Sequence, residues 1–459
     1  MKKDKLTVLL VHPEISRTKY NFVGIIENEC LELEYISTIL KQNGHVVYLY
    51  DGQVEKRSFE EKIKEYNPDV VYVCGRTRQE NFMLEYCATS KKHNANIITI
   101  IGGLHAQLCY ERMYKEFVDY ILTTFDIYKI LDIIEYEFSN NNLQIENIEG
   151  ICYKTKDGWR KNKQVMFDIK KLPLPDRSYF YEHPQNYRYL ELEHSAWVRT
   201  AYCCPYHCEF CHRNKMNMGV YSCRDIKDVV DEIENINSDN IYIVDDDFLF
   251  DQKRIIEFIR LIKERKISKK YICYGRADFI ANNEKIMKEL KDIGLYYVLV
   301  GLESIDNEKL NEYNKNSNIN NNEKSIEICN KFGINIMGMF IVGLDYEAKD
   351  FRNLYNWIKE HNLKHVAISI YTPEMKTDNY IRYKDRLITD NPSHWDYLHV
   401  VAKPEKLSVR RYYFNYYKLL IKLFLKAQKE GVYDFIDYKD YIKSFLKNML
   451  KNKRSNDDE

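Results

Sequence analysis

The sequence predicts an α/β protein built from two successive modules and a helical tail. Short apolar runs alternate with helix-patterned segments over residues 5–139, and the same alternation restarts at about residue 192. Alternation of this kind is typical of parallel sheets whose connecting helices cover the sheet faces. A chain of 459 residues is also long enough for about three domains.

The composition excludes several classes of protein. Lysine plus arginine and aspartate plus glutamate both total 69, so the formal net charge is zero. This balance disfavours a nucleic-acid partner, and 45% hydrophobic residues exclude disorder as the main state. No run approaches the ~18 apolar residues of a membrane span, and residues 6–11 are too short for a signal-peptide core. We therefore expect a cytoplasmic chain whose cysteines do not form disulfides.

Residues 1–139 are predicted to form a Rossmann-like domain, a doubly wound parallel sheet. Its five apolar runs cover residues 6–11, 46–50, 70–74, 97–101 and 120–122. Between the first two runs, Leu33, Ile36 and Leu40 follow helical spacing, and Gly44 stops the helix. Ligands of such sheets bind outside the carboxyl ends of the strands, where residues 102–105 follow the fourth run.

Residues 140–190 are predicted to connect the two modules. Three asparagines at 140–142 mark a loop, and Asp157-Gly158 is typical of a hairpin turn. Residues 172–176, in which leucine and proline alternate, predict an extended stretch.

Residues 191–390 predict a second parallel sheet of six βα units, which is either a curved sheet or an incomplete barrel, that is, a partial (β/α)6 barrel of the TIM type. Its six candidate strands cover residues 196–200, 240–244, 271–274, 297–300, 335–341 and 365–371. Helical patterns lie between them, for example at residues 225–236, 252–266, 322–332 and 348–361. Active sites on such scaffolds gather at the carboxyl ends of the strands.

Residues 391–459 predict a helical C-terminal region. Within it, residues 412–427 have an amphipathic pattern. A helix of this kind most often packs against a core, and membrane-surface binding is the alternative.

A cysteine cluster follows the first strand of the second module. Cys204, Cys208 and Cys211 are separated by three and then two residues, so three thiolates on one tight loop can hold three irons of a cubane cluster. The fourth iron is then open to a ligand, whereas an electron-transfer cluster would need a fourth cysteine. Cys203 adjoins Cys204 too closely for both to converge on one cluster, and Cys223 lies twelve residues further on.

A zinc site is the structural alternative, with His207 or His212 as a further ligand. Zinc sites usually combine two Cys/His couples around a longer loop, and no second couple follows here. The spacing therefore favours an iron–sulfur cluster.

The cysteine spacing resembles the cluster motif of the radical S-adenosylmethionine (SAM) superfamily, with Phe210 where that family has an aromatic residue. The resemblance continues at the ends of the later strands. It implies that SAM is bound by Phe210, Asp245, Asp246, Arg276, Glu303, Ser304 and Gly343. The chain departs from the family at residues 345–347, which do not read Pro-Gly-Glu, and at residues 374–377, which do not read Pro-Gly-Thr.

The order of the modules resembles that of the cobalamin-binding radical SAM enzymes, which carry a Rossmann-like cobalamin-binding domain ahead of the barrel. Gly102-Gly103-Leu104-His105 is similar to their Gly-Gly-x-His segment, and residues 172–177 are similar to their interdomain connector. The resemblance implies that cobalamin contacts Arg76, Thr77, Gly102, Gly103 and His105. The Asp-x-His-x-x-Gly signature of other cobalamin domains is absent after the first strand.

The resemblance implies an enzyme whose [4Fe–4S] cluster cleaves SAM reductively to a 5′-deoxyadenosyl radical. The electron comes from an external donor such as flavodoxin or ferredoxin. A cobalamin-dependent C-methyltransferase acting on an unactivated carbon is favoured, and methylthiolation is not, because the first module has no second cysteine triplet. The alternatives are a cobalamin-assisted rearrangement or cyclisation, a cobalamin-free radical SAM reaction, and a non-catalytic iron–sulfur redox module. The substrate is expected to be a small molecule or a peptide.

Overall fold

The computed structural model describes residues 5–16, 26–139 and 142–435. The strands of this part of the chain are β1 (Thr7–His12), β2 (Ile26–Glu27), β3 (Val46–Asp51), β4 (Val70–Cys74), β5 (Ile98–Gly102), β6 (Tyr120–Leu122), β7 (Ile151–Thr155), β8 (Gly158–Lys161), β9 (Arg188–Tyr189), β10 (Leu192–Glu193), β11 (Ala196–Val198), β12 (Ala201–Tyr202), β13 (Ser222–Cys223), β14 (Asn240–Ile243), β15 (Lys270–Gly275), β16 (Leu295–Glu303), β17 (Asn335–Val342) and β18 (His365–Ile370).

The α-helices connect these strands and cover the sheets. They are α1 (Leu31–Gln42), α2 (Phe59–Tyr66), α3 (Glu80–His93), α4 (Leu104–Cys109), α5 (Lys129–Phe138), α6 (Ser178–Glu182), α7 (Ile226–Asn235), α8 (Gln252–Glu264), α9 (Ala277–Asn282), α10 (Glu284–Asp292), α11 (Asn307–Glu312), α12 (Ile319–Phe332), α13 (Ala348–Glu360), α14 (Asp378–Tyr383) and α15 (Val409–Lys429).

The first sheet has seven strands in the order β3-β1-β4-β5-β6-β7-β8. The strands from β3 to β6 are parallel, and β7 and β8 are added antiparallel. Alternate residues of β1 enter different cores: Val8 and Leu10 pack on one face, Leu9 and Val11 on the other. Burial on both faces explains why this strand is a continuous apolar run rather than an alternating one. The predicted doubly wound parallel sheet is confirmed.

The segment predicted as a connector extends this sheet. β7 and β8 form a hairpin whose turn is Lys156 and Asp157, since Thr155 pairs with Gly158, and β7 pairs with β6. Gly158 has a φ of +113°, a value that favours glycine. The second half of the segment holds α6 and β9, which pairs with β2 and β10 in a small separate sheet.

The second sheet has six parallel strands in the order β11-β14-β15-β16-β17-β18. Strand order follows chain order throughout, as expected of a barrel built from successive βα units. In the described residues β11 and β18 do not pair with each other, so the barrel stays open. This confirms the predicted partial barrel.

The C-terminal helix α15 packs against the outside of the barrel. Its buried face carries Tyr412, Tyr416, Leu419 and Leu423. The Tyr412 hydroxyl donates to the carbonyl of Val342 at 2.9 Å. The amphipathic stretch is therefore a core-packed helix, and the rest of the predicted helical tail, from residue 436, lies outside the described residues. Among the described helices, none is long and apolar enough to cross a membrane.

A buried ion network joins the two modules. Arg177, before α6, pairs with Glu29 of the first module and with Glu232 of α7, the latter at 2.7 Å. Arg224 binds the other oxygen of Glu232 at 2.5 Å. All four side chains are nearly inaccessible to solvent. The network therefore fixes how the first sheet faces the barrel.

Candidate functional site

The carboxyl ends of the barrel strands open into a cavity of about 490 Å³. Its wall includes all three cysteines of the predicted cluster, the aspartates at 245–247, and residues of the first module such as Arg76. The cavity thus lies between the barrel and the first sheet, at the position where a barrel scaffold carries its active site.

The cysteines lie on the loop between β12 and β13. The backbone N–H of Cys211 donates to the carbonyl of Cys208 at 3.1 Å, so the two thiols share one tight turn. Cys203 has a φ of +67° and does not line the cavity, because this left-handed residue turns the chain immediately before Cys204. Phe210 lines the cavity and packs edge-on against Tyr313, with ring centroids 5.3 Å apart.

These residues fit an iron–sulfur cluster. Cys204, Cys208 and Cys211 are free thiols, and all three face one cavity. Burial raises the pKa of Cys204 and of Cys211 to about 12, so the thiols are neutral until a metal ion replaces their protons. Three ligands on one loop leave one iron of a cubane without a protein thiolate, which suits a cluster that binds a further ligand.

The three aspartates after β14 have different roles in the structure. Asp245 accepts hydrogen bonds from the N–H groups of Thr200 and Ala201, at 2.7 and 2.9 Å, so its carboxylate holds the start of the cysteine loop. One oxygen of Asp246 lies 3.3 Å from Arg213, and its other oxygen is buried without a partner.

Asp247, the third aspartate of the run, also lies in the cavity wall. Both of its carboxylate oxygens are buried without a hydrogen-bond partner. Burial raises its pKa to about 7, although Arg276 and Lys315 act in the opposite direction. An unpartnered carboxylate in the cavity wall is expected to receive a hydrogen-bond donor or a cation from a ligand.

Glu303 ends β16 in a left-handed conformation with a φ of +60°. The sheet register shifts between Gly301 and Glu303, and this irregularity turns the Glu303 side chain into the cavity wall. Its Oε1 atom accepts a hydrogen bond of 2.8 Å from the Nζ atom of Lys315, which lines the same cavity. Lys315 was not predicted, because nothing in its sequence neighbourhood distinguishes it from a surface lysine.

Arg276 lies at the end of β15, next to Glu303 and Lys315. Its guanidinium stacks 3.7 Å from the ring centre of Tyr206 and donates to the carbonyl of Lys315 at 2.6 Å. A further hydrogen bond to Asp278, at 2.9 Å, fixes its Nε atom. The cavity wall is therefore held rigidly by a cation that also lies beside the cysteine loop.

Two residues predicted to contact SAM are not in the wall of this cavity. Ser304 is buried behind Glu303, and its hydroxyl accepts a hydrogen bond from the N–H of Asp306 at 3.1 Å. Gly343 lines a separate, smaller space of about 10 Å³ beside Tyr313 and Tyr371.

A second, narrow cleft of about 100 Å³ lies at the carboxyl ends of the first sheet. Gly103 lines it with a φ of +89°, and a Cβ atom there would lie 2.8 Å from the sulfur of Cys74 and 2.9 Å from the carbonyl of Gly75. Arg76 lines both this cleft and the large cavity. The two spaces share five wall residues: Asn28, Arg76, Trp197, Arg199 and Arg213.

The other residues predicted to contact cobalamin do not line either space. Gly102 packs against the hydroxyl of Tyr72, which leaves no room for a Cβ atom. Thr77 begins a short 3-10 turn. His105 is buried, and its Nε2 atom is paired with Glu80 at 2.5 Å, while Arg112 binds the same oxygen of Glu80 at 2.6 Å. His105 thus belongs to an ion cluster beneath the cleft.

Two family models match the chain. The model of the radical SAM superfamily matches residues 198–358, which run from the end of β11 into α13. The model of the B12 binding domain matches residues 29–126, which run from just before α1 to just after β6. The radical SAM match includes the three cysteines of the large cavity, and the B12 binding match includes Gly103 of the narrow cleft.

Curated relatives match most of the chain. A hopanoid C-3 methylase of Methylococcus capsulatus is 24% identical over 413 residues, which is 89% of this chain and 78% of the relative. An anaerobic magnesium-protoporphyrin IX monomethyl ester cyclase of Rubrivivax gelatinosus is also 24% identical, over 91% of this chain and 78% of the relative.

Solved structures share the fold at low sequence identity. The radical SAM methyltransferase TsrM of Kitasatospora setae, solved with cobalamin and a [4Fe–4S] cluster, superposes with a TM-score of 0.68 at 15% identity, covering 95% of this chain and 91% of TsrM. The cobalamin-dependent SAM radical enzyme OxsB superposes with a TM-score of 0.65 at 18% identity and 90% coverage, and this chain spans 61% of OxsB. In this chain the B12 binding match precedes the radical SAM match, which is the order of modules that the sequence predicts.

Proposed function

Since the chain belongs to the radical SAM superfamily and carries a B12 binding domain, we propose that it is a cobalamin-dependent C-methyltransferase acting on an unactivated carbon. It is an enzyme whose radical SAM domain implies a [4Fe–4S] cluster and SAM, and whose B12 binding domain supports cobalamin. The methyl transfer itself is our proposal, and the similarity to the hopanoid C-3 methylase supports it.

One observation carries the proposal. The cavity that holds the cysteines and the cleft that holds Gly103 share part of their walls, with Arg76, Arg199 and Arg213 at the junction. Groups bound in the two spaces would therefore face each other across a common volume. A radical SAM reaction that did not use the first module would not need this continuity.

The residues of the chain would divide the cofactors between the two spaces. Cys204, Cys208 and Cys211 would hold the cluster, and the open cleft beside Gly103 would accept the nucleotide tail of cobalamin. When bound, these cofactors supply radical generation from SAM, driven by an external donor such as flavodoxin or ferredoxin, and a transferable methyl group.

The polar residues of the cavity would bind and orient SAM. The unpartnered oxygens of Asp246 and Asp247 are acceptors for its amino group. Glu303, fixed by Lys315, is an acceptor for its ribose hydroxyls. Both sets of acceptors are already in position and desolvated, so binding requires little rearrangement of the chain.

Apart from the arginines at the junction with the cleft, much of the remaining cavity wall is apolar and supports a substrate with a hydrocarbon surface. Inside the barrel this wall is formed by aromatic and sulfur-containing side chains: Tyr189, Trp197, Tyr242, Tyr274, Met337 and Met339. Such a wall excludes water from the reacting carbon. It binds a small apolar molecule, or an apolar side chain of a peptide, better than a charged one.

The proposal is tested by anaerobic reconstitution of the cluster, followed by SAM and dithionite. We expect 5′-deoxyadenosine, and we expect about one hydroxocobalamin bound per chain, since one cleft is available. If cobalamin does not bind while 5′-deoxyadenosine forms, the reaction is cobalamin-free. If no 5′-deoxyadenosine forms, the proposed radical methyl transfer is wrong.

A matched pair of glycine variants locates the cobalamin. Gly103 and Gly44 both have a positive φ, of +89° and +83°, but only Gly103 is crowded and lines the cleft. Gly103→Ala should reduce cobalamin binding and leave the iron content unchanged. Gly44→Ala carries the same backbone strain in open space and should bind cobalamin as the wild type does.

A further inference from the structure

A cluster of possible metal ligands lies at the edge of the first sheet, in the wall of the narrow cleft and away from the cavity that holds the three cysteines. It consists of His12 at the end of β1, Asp51 at the end of β3 and Cys30 just before α1. The Nδ1 atom of His12 lies 3.0 Å from Oδ1 of Asp51 and 3.2 Å from the sulfur of Cys30. The sulfur of Cys30 lies 3.2 Å from Oδ2 of Asp51. Three different ligand types thus converge on one point.

The arrangement does not match a catalytic relay of cysteine, histidine and aspartate. In a relay the cysteine and the carboxylate contact opposite nitrogens of the imidazole. Here both Cys30 and Asp51 contact Nδ1 of His12. When the thiol and the Nδ1–H each donate to Asp51, no proton remains for the close contact between the sulfur and Nδ1. Hydrogen bonding alone therefore does not explain why the sulfur of Cys30 lies so close to Nδ1 of His12.

We propose that His12, Cys30 and Asp51 bind a Zn²⁺ ion. Zinc is bound by thiolate, imidazole and carboxylate in tetrahedral geometry at about 2.0–2.3 Å, which places neighbouring ligand atoms roughly 3.3–3.6 Å apart. The Nδ1 atom of His12 lies 3.2 Å from the Cys30 sulfur, which is close to this spacing, and the two oxygens of Asp51 lie 3.0 Å from Nδ1 and 3.2 Å from the sulfur. One ligand atom from each of the three residues lies within 4.8 Å of the other two. Binding releases the thiol proton of Cys30 and moves the His12 proton from Nδ1 to Nε2.

The surroundings support the ligands as a zinc site requires. The hydroxyl of Tyr187 donates to Oδ2 of Asp51 at 3.1 Å, and the N–H of Gln53 donates to Oδ1 at 3.1 Å. The side-chain amide of Gln53 lies 2.8 Å from Nε2 of His12, and the same amide turned over would accept the Nε2–H of a zinc-bound imidazole.

The site has room for a fourth ligand and a structural purpose. Asp51 and Cys30 are buried, whereas the His12 side chain keeps 19% of its surface exposed. His12, Cys30 and Gln53 line the narrow cleft, so a water molecule can complete the coordination from that side. The ion would tie the ends of β1 and β3 to the start of α1, and it would stiffen one wall of the cleft.

The test measures metal rather than activity, so its outcome is independent of the proposed methyl transfer. Protein carrying the reconstituted cluster is treated with a mild chelator, given Zn²⁺, desalted and analysed for zinc and iron. We expect about one zinc per chain in addition to the cluster iron. Cys30→Ser and His12→Gln should lose zinc and keep their iron. Cys152→Ser, which changes a buried cysteine of the same sheet, should keep both.

Zinc-edge X-ray absorption of the wild type gives an answer that does not depend on folding of the variants. We expect one sulfur ligand and a remainder of nitrogen and oxygen. A coordination shell without sulfur, or with several sulfurs, would overturn the assignment. So would a wild-type protein that binds no zinc, or a Cys30→Ser variant that binds as much as the wild type.

Discussion

The buried carboxylate of Asp247 destabilises the folded state. Its carboxylate is buried with no partner for either oxygen, and burial raises its pKa from 3.8 to about 7. A group whose pKa is raised by folding destabilises the protein above that pKa, because the folded state then holds a charge that water would solvate better. The structure tolerates such a group where a ligand later pairs with it.

Asp247→Asn should therefore stabilise the protein at about pH 8. The shift of about three pH units between 3.8 and about 7 corresponds to at most about 4 kcal/mol of unfolding free energy. The difference should shrink as the pH falls below about 7 and vanish near the unfolded pKa of 3.8. Urea unfolding without SAM measures it, and the same variant should bind SAM more weakly. Asp157→Asn, at an exposed hairpin turn, should show no such pH dependence.

The cysteine loop should lose its cluster when any one of its three ligands is removed. Alanine at Cys204, Cys208 or Cys211 should each remove the cluster, because one iron then lacks its ligand. Cys203→Ala should keep it, since Cys203 does not line the cavity. Iron content, visible absorbance and 5′-deoxyadenosine formation are the measurements. The register would be wrong by one residue if Cys203→Ala lost the absorbance and Cys204→Ala retained it.

Which of these residues could be predicted depends on how close together they are in the sequence. The three cysteines share one loop, so their spacing alone places them together. Lys315 reaches Glu303 only because β16 ends in an irregular left-handed residue, which no local pattern announces. His105 belongs to the segment that resembles the Gly-Gly-x-His motif, yet its partner Glu80 lies 25 residues away and determines the direction of the His105 side chain.

At the scale of the element, the end of β16 positions a carboxylate. Gly301 leaves the space in which Glu303 and Lys315 meet: a Cβ atom there would overlap Oε1 of Glu303 and lie 2.7 Å from Nζ of Lys315. The missing side chain and the shifted register therefore act together. They present a hydrogen-bond acceptor to the cavity from a strand that is otherwise buried.

Gly301→Ala and Glu303→Ala should both weaken SAM binding, and Glu303→Ala should have the larger effect. Glu303→Ala removes the acceptor, and loss of an acceptor for buried hydroxyl donors costs about 1–3 kcal/mol, or roughly fivefold to 150-fold in affinity. Gly301→Ala only displaces the ends of the Glu303 and Lys315 side chains. The iron content should not change. SAM affinity of the reconstituted protein is measured by equilibrium dialysis. Unchanged affinity in both variants would show that Glu303 does not contact SAM.

The longer elements could be predicted because they are buried on both faces. The candidate strands at residues 70–74 and 120–122 coincide with β4 and β6, and the candidate at 335–341 differs from β17 by one residue. Five strands have only two residues each: β2, β9, β10, β12 and β13. They could not be predicted, because two residues are too few to show a periodic pattern. Their pairing is decided by the surrounding fold. The same is true of β7 and β8, which join the first sheet from a segment predicted as a connector.

At the scale of the whole molecule, the histidines near the cleft are already engaged. His12 contacts Asp51 and Cys30, and His105 is paired with Glu80. We therefore expect cobalamin to bind without a histidine on cobalt and with its own base displaced into the cleft. Electron paramagnetic resonance of the cobalt(II) form should show no three-line nitrogen splitting. A splitting that disappears in His105→Ala would contradict this prediction.

The buried ion network makes the orientation of the two modules depend on one cation. Arg177 is the cation that Glu29 and Glu232 share, and Glu34 lies 3.8 Å away with one oxygen unpartnered. Burial, and then the charge of Glu29, raises the pKa of Glu34. Removing Arg177 would leave Glu29 and Glu34 facing each other without a cation, whereas Glu232 would keep its pair with Arg224.

Arg177→Met should lower the unfolding free energy by about 3–5 kcal/mol, since it removes one partner of a buried ion network. The orphaned carboxyls then have raised pKa values in the folded state, so their destabilisation is greatest above those values and is relieved as the pH falls. Urea midpoints should therefore differ more at about pH 8 than at about pH 5. Arg177→Met combined with Glu29→Gln should recover part of the loss, because one unpaired charge is gone. Arg160→Met, which changes an exposed arginine of the β7–β8 hairpin, is the control. If Arg177→Met and Arg160→Met unfolded at the same urea concentration, the modules would be held by apolar packing alone.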